Sequence, residues 1–206
     1  VYAKDLVLHI INKLGVKAGV GFAYEFGGPA IDALSMEERM TICNMSIEGG
    51  ARCGYINPDE KTFAYIKNRL YSPKNKYWDR ALLWWKSLKS DANSIYDDVI
   101  KLDASKVEPT VTWGITPGQS VGINQKIPHL ADLSPNDQYI AEEAYQYMNF
   151  KPGQSIKDTP VDVCFIGSCT NGRISDLRIA AKVLKNKKVS YKVKAFVVPG
   201  SEKVAS

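Results

Sequence analysis

An α/β fold with mostly parallel sheets is predicted by three observations. Residues 161–166 form an apolar run, and a short polar loop follows it. Ile174, Leu177, Ala181 and Leu184 then recur at helical spacing, and residues 194–198 form a second apolar run ending at Pro199-Gly200-Ser201. Strand, helix and strand in that order make a parallel unit with a right-handed crossover. Residues 20–26 alternate, with Phe22, Tyr24 and Phe26 on one side, until Gly27-Gly28-Pro29 breaks the run. Several helix starts lie between these two regions.

Taken in chain order, residues 4–14 read as a helix with Leu6, Ile10 and Leu14 on one face and Gly15 as its stop. The strand over 20–26 follows. Ser35 and Glu38 form a capping box, each side chain satisfying the other's free backbone N–H, and the helix they start is predicted to reach about residue 53. Asn57-Pro58-Asp59-Glu60 reads as a second start, with Asn57 as cap and Phe63, Ile66 and Leu70 as the apolar face. Residues 77–88 are helical by the spacing of Trp78, Leu82 and Trp85, with Trp84 off that stripe. Residues 95–103 and 110–113 read as strands, and 104–109 as a candidate domain boundary. The stretch 116–135 is rich in Pro and Gly. Ser134-Pro135 starts a helix carrying Ile140, Ala144 and Tyr147.

The 206 residues are 45% apolar and 24% charged with a net charge of +5, the composition of a folded domain with a substantial core. The basic residues are interleaved with acids, so nucleic-acid binding is not indicated. No apolar run approaches the length of a membrane span. Cysteines 43, 53, 164 and 169 form no C-x-x-C pair and are too few for a disulfide framework, which fits a reducing, cytoplasmic setting. The first residues carry neither Met nor leader, and both ends are expected to continue in a longer protein.

Two features can carry chemistry. The loop Gly167-Ser168-Cys169-Thr170-Asn171-Gly172-Arg173 sits where open parallel sheets bind ligands, beyond the carboxyl ends of the strands. It leads into a helix N-terminus, whose free N–H groups favour anions and lower a cysteine's pKa. Cys169 is thus placed as a metal ligand or nucleophile; a packing cysteine is the competing reading from position alone. Arg173 has the planar fork that grips a carboxylate. The loop lacks the Lys and glycine spacing of a phosphate cradle. One cysteine does not fill a metal site, so any partners lie elsewhere. The second feature is the helix from Ser35. Met36, Met40, Cys43, Ile47 and Ala51 form an apolar stripe and Thr41, Asn44 and Glu48 a polar one. By pattern, Asn44 and Glu48 read first as a solvated face. Gly49-Gly50 costs about 1 kcal/mol per residue inside a helix, which implies that something packs closely there. Cys164 reads as core, and His9 and His129 have no partner motif.

These stretches resemble the aconitase superfamily. Residues 38–52, with Thr41-Ile42-Cys43-Asn44 and Glu48-Gly49-Gly50-Ala51-Arg52, are similar to its helix signature, and 57–63 continue it. Thr112-Trp113-Gly114-Ile115-Thr116-Pro117-Gly118 is similar to another stretch of it. Residues 164–173 resemble its first cluster-cysteine motif, and Val198-Pro199-Gly200-Ser201 the next. Within the superfamily, Gly172-Arg173 resembles the large subunits of the 3-isopropylmalate dehydratases, where aconitases tend to carry two serines.

The resemblance implies a three-layer α/β/α fold, incomplete here. Residues 1–15 would end a preceding domain, 16–105 form a middle domain and 106–206 open a third. It implies a 4Fe-4S cluster with Cys169 as the first of three thiolates. Glu48 and Asn44 would be catalytic, and Ser168, Asn171, Arg173 and Ser201 would bind substrate. It also implies a hydro-lyase that isomerises 2-isopropylmalate to 3-isopropylmalate in leucine biosynthesis, with a small subunit as partner. The family's C-x-x-C pair follows the Pro-Gly-Ser motif and is not in this sequence. The alternatives are a hydratase of homoaconitase or aconitase type, or a non-catalytic RNA-binding module.

Overall fold

The computed structural model describes residues 1–157, 159–168 and 170–206. They fold as two compact units, Val1–Val107 and Glu108–Ser206. Among the described residues no helix is long and apolar enough to cross a membrane.

In the first unit, α1 (Ala3–Leu14) ends where Gly15 N–H caps the Ile11 carbonyl at 2.7 Å. Strand β1 (Tyr24–Phe26) is shorter than the alternation over 20–26 predicts, and Phe22 is exposed. A short helix α2 (Pro29–Ala33) leads to α3 (Met36–Met45). The capping box at Ser35 is present: Ser35 N–H donates to Glu38 at 2.9 Å, and Glu38 N–H to Ser35 Oγ at 3.3 Å. The helix does not reach residue 53. It tightens into a 3₁₀ turn, Ser46–Gly49, and stops at Gly50 in the left-handed region. Close packing at the glycine pair is real, since a Cβ on Gly50 would lie 3.0 Å from the Val16 carbonyl oxygen.

The face of α3 that is buried also differs from the predicted stripe. Arg39, Thr41, Ile42 and Met45 are buried, Met36, Met40 and Cys43 are half-buried, and Ile47 is exposed. The reason is tertiary: Ile42 and Met45 pack with Val7, Leu8 and Ile11 of α1 and with Ile31, and a charged residue joins that face because it has a partner. Arg39, 3% exposed, pairs through Nη2 with Asp59 at 2.7 Å and also donates to the Asp32 carbonyl at 3.2 Å.

Strand β2 (Gly54–Ile56) runs parallel to β1, with Tyr24 opposite Gly54 and Phe26 opposite Ile56. Helix α4 (Glu60–Ile66) is capped by Asp59, whose carboxylate accepts from the N–H groups of Lys61 and Thr62 at 3.0 and 3.1 Å. Asn57, predicted as the cap, is drawn away. Its Nδ2 donates to Glu25 at 2.7 Å, its Oδ1 accepts Ser90 N–H at 2.8 Å, and Ser90 Oγ donates to Glu25 at 2.7 Å. Because α4 stops at Ile66, Leu70 lies outside it and is exposed. Helix α5 (Lys76–Lys86) stacks Trp85 on Phe63 at 6.5 Å and sets Trp78 edge-on to Trp85 at 5.6 Å; Trp84, off that stripe, is exposed, although a tryptophan is expected in a core. Residues 95–103 form no strand; Ile95, Val99 and Ile100 are exposed there.

In the second unit, β3 (Thr110–Thr112) and β4 (Ser120–Gly122) pair antiparallel. Helix α6 (Pro135–Met148) starts at Ser134 as predicted but faces the core with Ala141, Ala144 and Tyr145, while Ile140 and Tyr147 are exposed. Trp113 fixes that rotation by stacking on Tyr145 at 5.2 Å, and Ile127 fills the same core. Strand β5 (Val163–Ile166), helix α7 (Ile174–Leu184) and strand β6 (Lys194–Val197) form the predicted unit, with Val163 opposite Lys194 and Ile166 opposite Val197 in parallel. A four-residue helix, α8 (Glu202–Ala205), follows. An apolar run such as that of β5 belongs in a core, yet Val163 and Phe165 are exposed, as are Phe196 and Val197 of β6. Among the described residues these strands pair only with each other, so no further strand shields them.

Candidate functional site

Parallel pairing of β5 and β6 brings two loops to one sheet edge. Val198 N–H donates to the Ile166 carbonyl at 2.8 Å, and Gly200 N–H to the Gly172 carbonyl at 2.8 Å. The first loop starts at Gly167, whose φ of +112° is rare for an L side chain. A Cβ there would collide with the Val198 carbonyl. A Cβ on Gly172 would lie 2.6 Å from the Ser168 carbonyl and 2.9 Å from Gly200 N, so small residues are required where the loops touch.

Three of the predicted residues converge on this loop. Asn171 N–H donates to Ser168 Oγ at 3.1 Å. Asn171 Nδ2 donates to Asp176 at 3.3 Å, and Arg173 N–H donates to the other Asp176 oxygen at 3.1 Å. Arg173, half-buried, is the cap residue of α7, and Thr170 is buried beside it. Ser201 begins the turn after β6, where its hydroxyl accepts Val204 N–H at 3.3 Å. Cys169, the proposed ligand, lies outside the described residues.

Asn44 and Glu48 belong to the other unit. Asn44 is in the last turn of α3 and Glu48 in the 3₁₀ turn after it, and both are exposed, the state that the helical pattern alone favours. They do not line the cavity of about 310 Å³ in that unit, which is walled by His9, Phe26, Tyr96 and the carboxylates of Glu25, Asp97 and Asp103. Burial and then Lys13 lower the pKa of His9, which keeps its ring neutral near pH 7.

Cys43 is poorly suited to bind a metal. Burial, and then Cys53, push the Cys43 thiol up, the reverse of what a metal ligand needs. Cys164 lies inside β5, half-buried. Among the described residues no three His, Cys, Asp or Glu side chains gather as a metal site.

Asp176 was missed by the sequence reading. Its position, three residues after the cap of α7, is where an acid closes a capping box, and that spacing could have found it. The Glu25–Asn57–Ser90 network had no local signal, because its members are 32, 33 and 65 residues apart.

Residues 1–206 match the model of the aconitase family (aconitate hydratase). A protein of Prochlorococcus marinus (strain MIT 9312), named 3-isopropylmalate dehydratase large subunit, is 88% identical over 206 residues, which is 100% of this chain and 44% of that protein. A protein of the same name from Synechocystis sp. is 64% identical over 204 residues, 99% of this chain and 44% of its own length. The chain therefore spans less than half the length of these relatives.

Proposed function

This chain belongs to the aconitase family, and from that membership we propose that it is part of the large subunit of a 3-isopropylmalate dehydratase. The observation that carries this reading is the 88% identity across the full chain to a protein of that name. The substrate is 2-isopropylmalate, the partner is a small subunit, and the setting is cytoplasmic. In that reading residues 1–15 close one domain, 16–105 form a second and 106–206 open a third.

The reaction removes a hydroxyl and the hydrogen on the neighbouring carbon as water, leaving an alkene. Water then adds back with the hydroxyl on the other carbon. Glu48 as the acid delivers a proton to the departing hydroxyl and as the carboxylate takes one from the water that returns. Asn44, one turn earlier, would hydrogen-bond near the cluster. Arg173 takes a substrate carboxylate in its fork, and Ser168, Asn171 and Ser201 complete the polar contacts. The base for the carbon-bound proton belongs to the small subunit.

Family membership implies an iron–sulfur cluster. Cys169, in the stretch that resembles the family's first cluster-cysteine motif, is the residue of this chain that would hold it. When bound, a cluster with an open iron supplies a Lewis acid for the hydroxyl.

The test is isomerisation of 2-isopropylmalate by the full-length large subunit assembled with its small subunit. Glu48→Gln is expected to lower kcat by roughly 100-fold or more, with iron content unchanged. Cys169→Ser is expected to lower iron content itself. Turnover of homocitrate or citrate in place of 2-isopropylmalate would move the assignment to a sister hydratase.

A further inference from the structure

We propose that Asp176 is a positioning residue that orients the Asn171 amide, so that Asn171 offers the substrate a hydrogen-bond acceptor. The group Asn171 takes is then a donor, the hydroxyl of a hydroxy acid, and not a carboxylate. This rests on the functional reading above and narrows the role of one residue in it.

An ionised carboxylate only accepts hydrogen bonds, so the NH₂ of Asn171 must face Asp176, as Nδ2 does at 3.3 Å. Turning the amide over would set Oδ1 against a carboxylate oxygen. The carboxylate cannot swing aside without cost, because its second oxygen takes Arg173 N–H at 3.1 Å and so caps α7. The backbone of Asn171 is held as well, through Ser168 Oγ at 3.1 Å. What remains of the amide is Oδ1, which is buried and has no hydrogen-bond partner among the described residues. A buried acceptor without a donor is unfavourable, so the working complex supplies one.

The hydroxy acid carries such a donor and the alkene does not. That difference gives the test in the assembled full-length enzyme. In Asp176→Asn the new amide can still accept Arg173 N–H, but its NH₂ lets Asn171 turn over and present its own NH₂. KM for 2-isopropylmalate in dehydration is expected to rise about tenfold, and KM for the alkene in hydration to stay within about twofold. Asp176→Glu, which restores an acceptor-only group, is expected to bring the ratio of the two KM values back toward wild type.

Equal rises for both compounds would mean a merely structural role and would overturn the proposal, as would no rise at all. If Asp176→Asn does not fold, Asn171→Ala decides in its place: a selective rise for the hydroxy acid supports the proposal, and an equal rise or none overturns it. Wild-type enzyme that turned over neither compound would overturn the functional reading and this proposal with it. Wild-type turnover with unselective variants would overturn this proposal alone.

Discussion

Gly167→Ala is expected to disable the loop after β5. Two costs add at this position. An alanine at φ +112° carries backbone strain of about 1–3 kcal/mol. Its Cβ would also meet the Val198 carbonyl on the neighbouring chain segment, which is backbone and cannot rotate away. Relief requires the end of β5 to move from the end of β6, which breaks the bond from Val198 N–H to the Ile166 carbonyl and separates Gly172 from Gly200. The expected loss is about 3–5 kcal/mol in the loop. In the full-length subunit this appears as faster hydrogen exchange at Val198 and, on the functional reading above, as loss of iron and of activity. Gly27→Ala is the control, because a Cβ there meets nothing within 4 Å and φ is ordinary. A Gly167→Ala protein with wild-type exchange and iron content would refute the prediction.

The second large effect is expected at the ion pair between α3 and α4. Asp59→Ala leaves the Arg39 charge, 3% exposed, without its carboxylate. Stranding a fully buried charge costs about 3–5 kcal/mol, and because Asp59 is itself 42% exposed the lower part of that range is discounted to about 2 kcal/mol. Loss of the α4 cap adds about 1 kcal/mol. The sum, about 3 kcal/mol, corresponds to roughly 100-fold faster exchange of the amides of α3 and α4 where local opening governs exchange. Arg39→Met is expected to cost less, since it removes the buried charge and leaves Asp59 half in water. Equal losses in the two variants would show that the buried charge is not the cause.

The same pair sets an acid limit. The hydrogen bond from Arg39 holds the Asp59 carboxyl at about 2, below its ordinary 3.8. A group whose pKa is lower in the folded state contributes its stability above the unfolded value and loses it as pH falls through the folded one. The protection of α3 and α4 is thus expected to be full above about pH 4 and to fade toward about pH 2, and Asp59→Ala is expected to show no such fade.

What could be read from the sequence was what is local. The Ser35–Glu38 box, the start at Ser134 and the β5–α7–β6 unit each depend on residues a few positions apart, and each is present. What could not be read depends on partners far along the chain. Asn57 looks like a helix cap until Glu25 and Ser90 claim it. Arg39 looks like a surface charge until Asp59, 20 residues later, makes burial tolerable. The rotation of α6 is set by Trp113, which no helical periodicity contains. The site divides in the same way. Ser168, Asn171 and Arg173 come together through bonds within one loop, and parallel pairing puts the Ser201 loop at the same edge, which the strand order already implied. The part played by Asp176 needed the direction of each hydrogen bond.

The exposed sheet has a consequence for how this polypeptide survives its own synthesis. β5 and β6 carry Val163, Phe165, Phe196 and Val197 into solvent, and among the described residues each strand has an unclaimed edge. Short, apolar, β-prone segments with open edges are templates for pairing between molecules. Until something shields them, speed of folding matters more for this stretch than depth of its energy minimum.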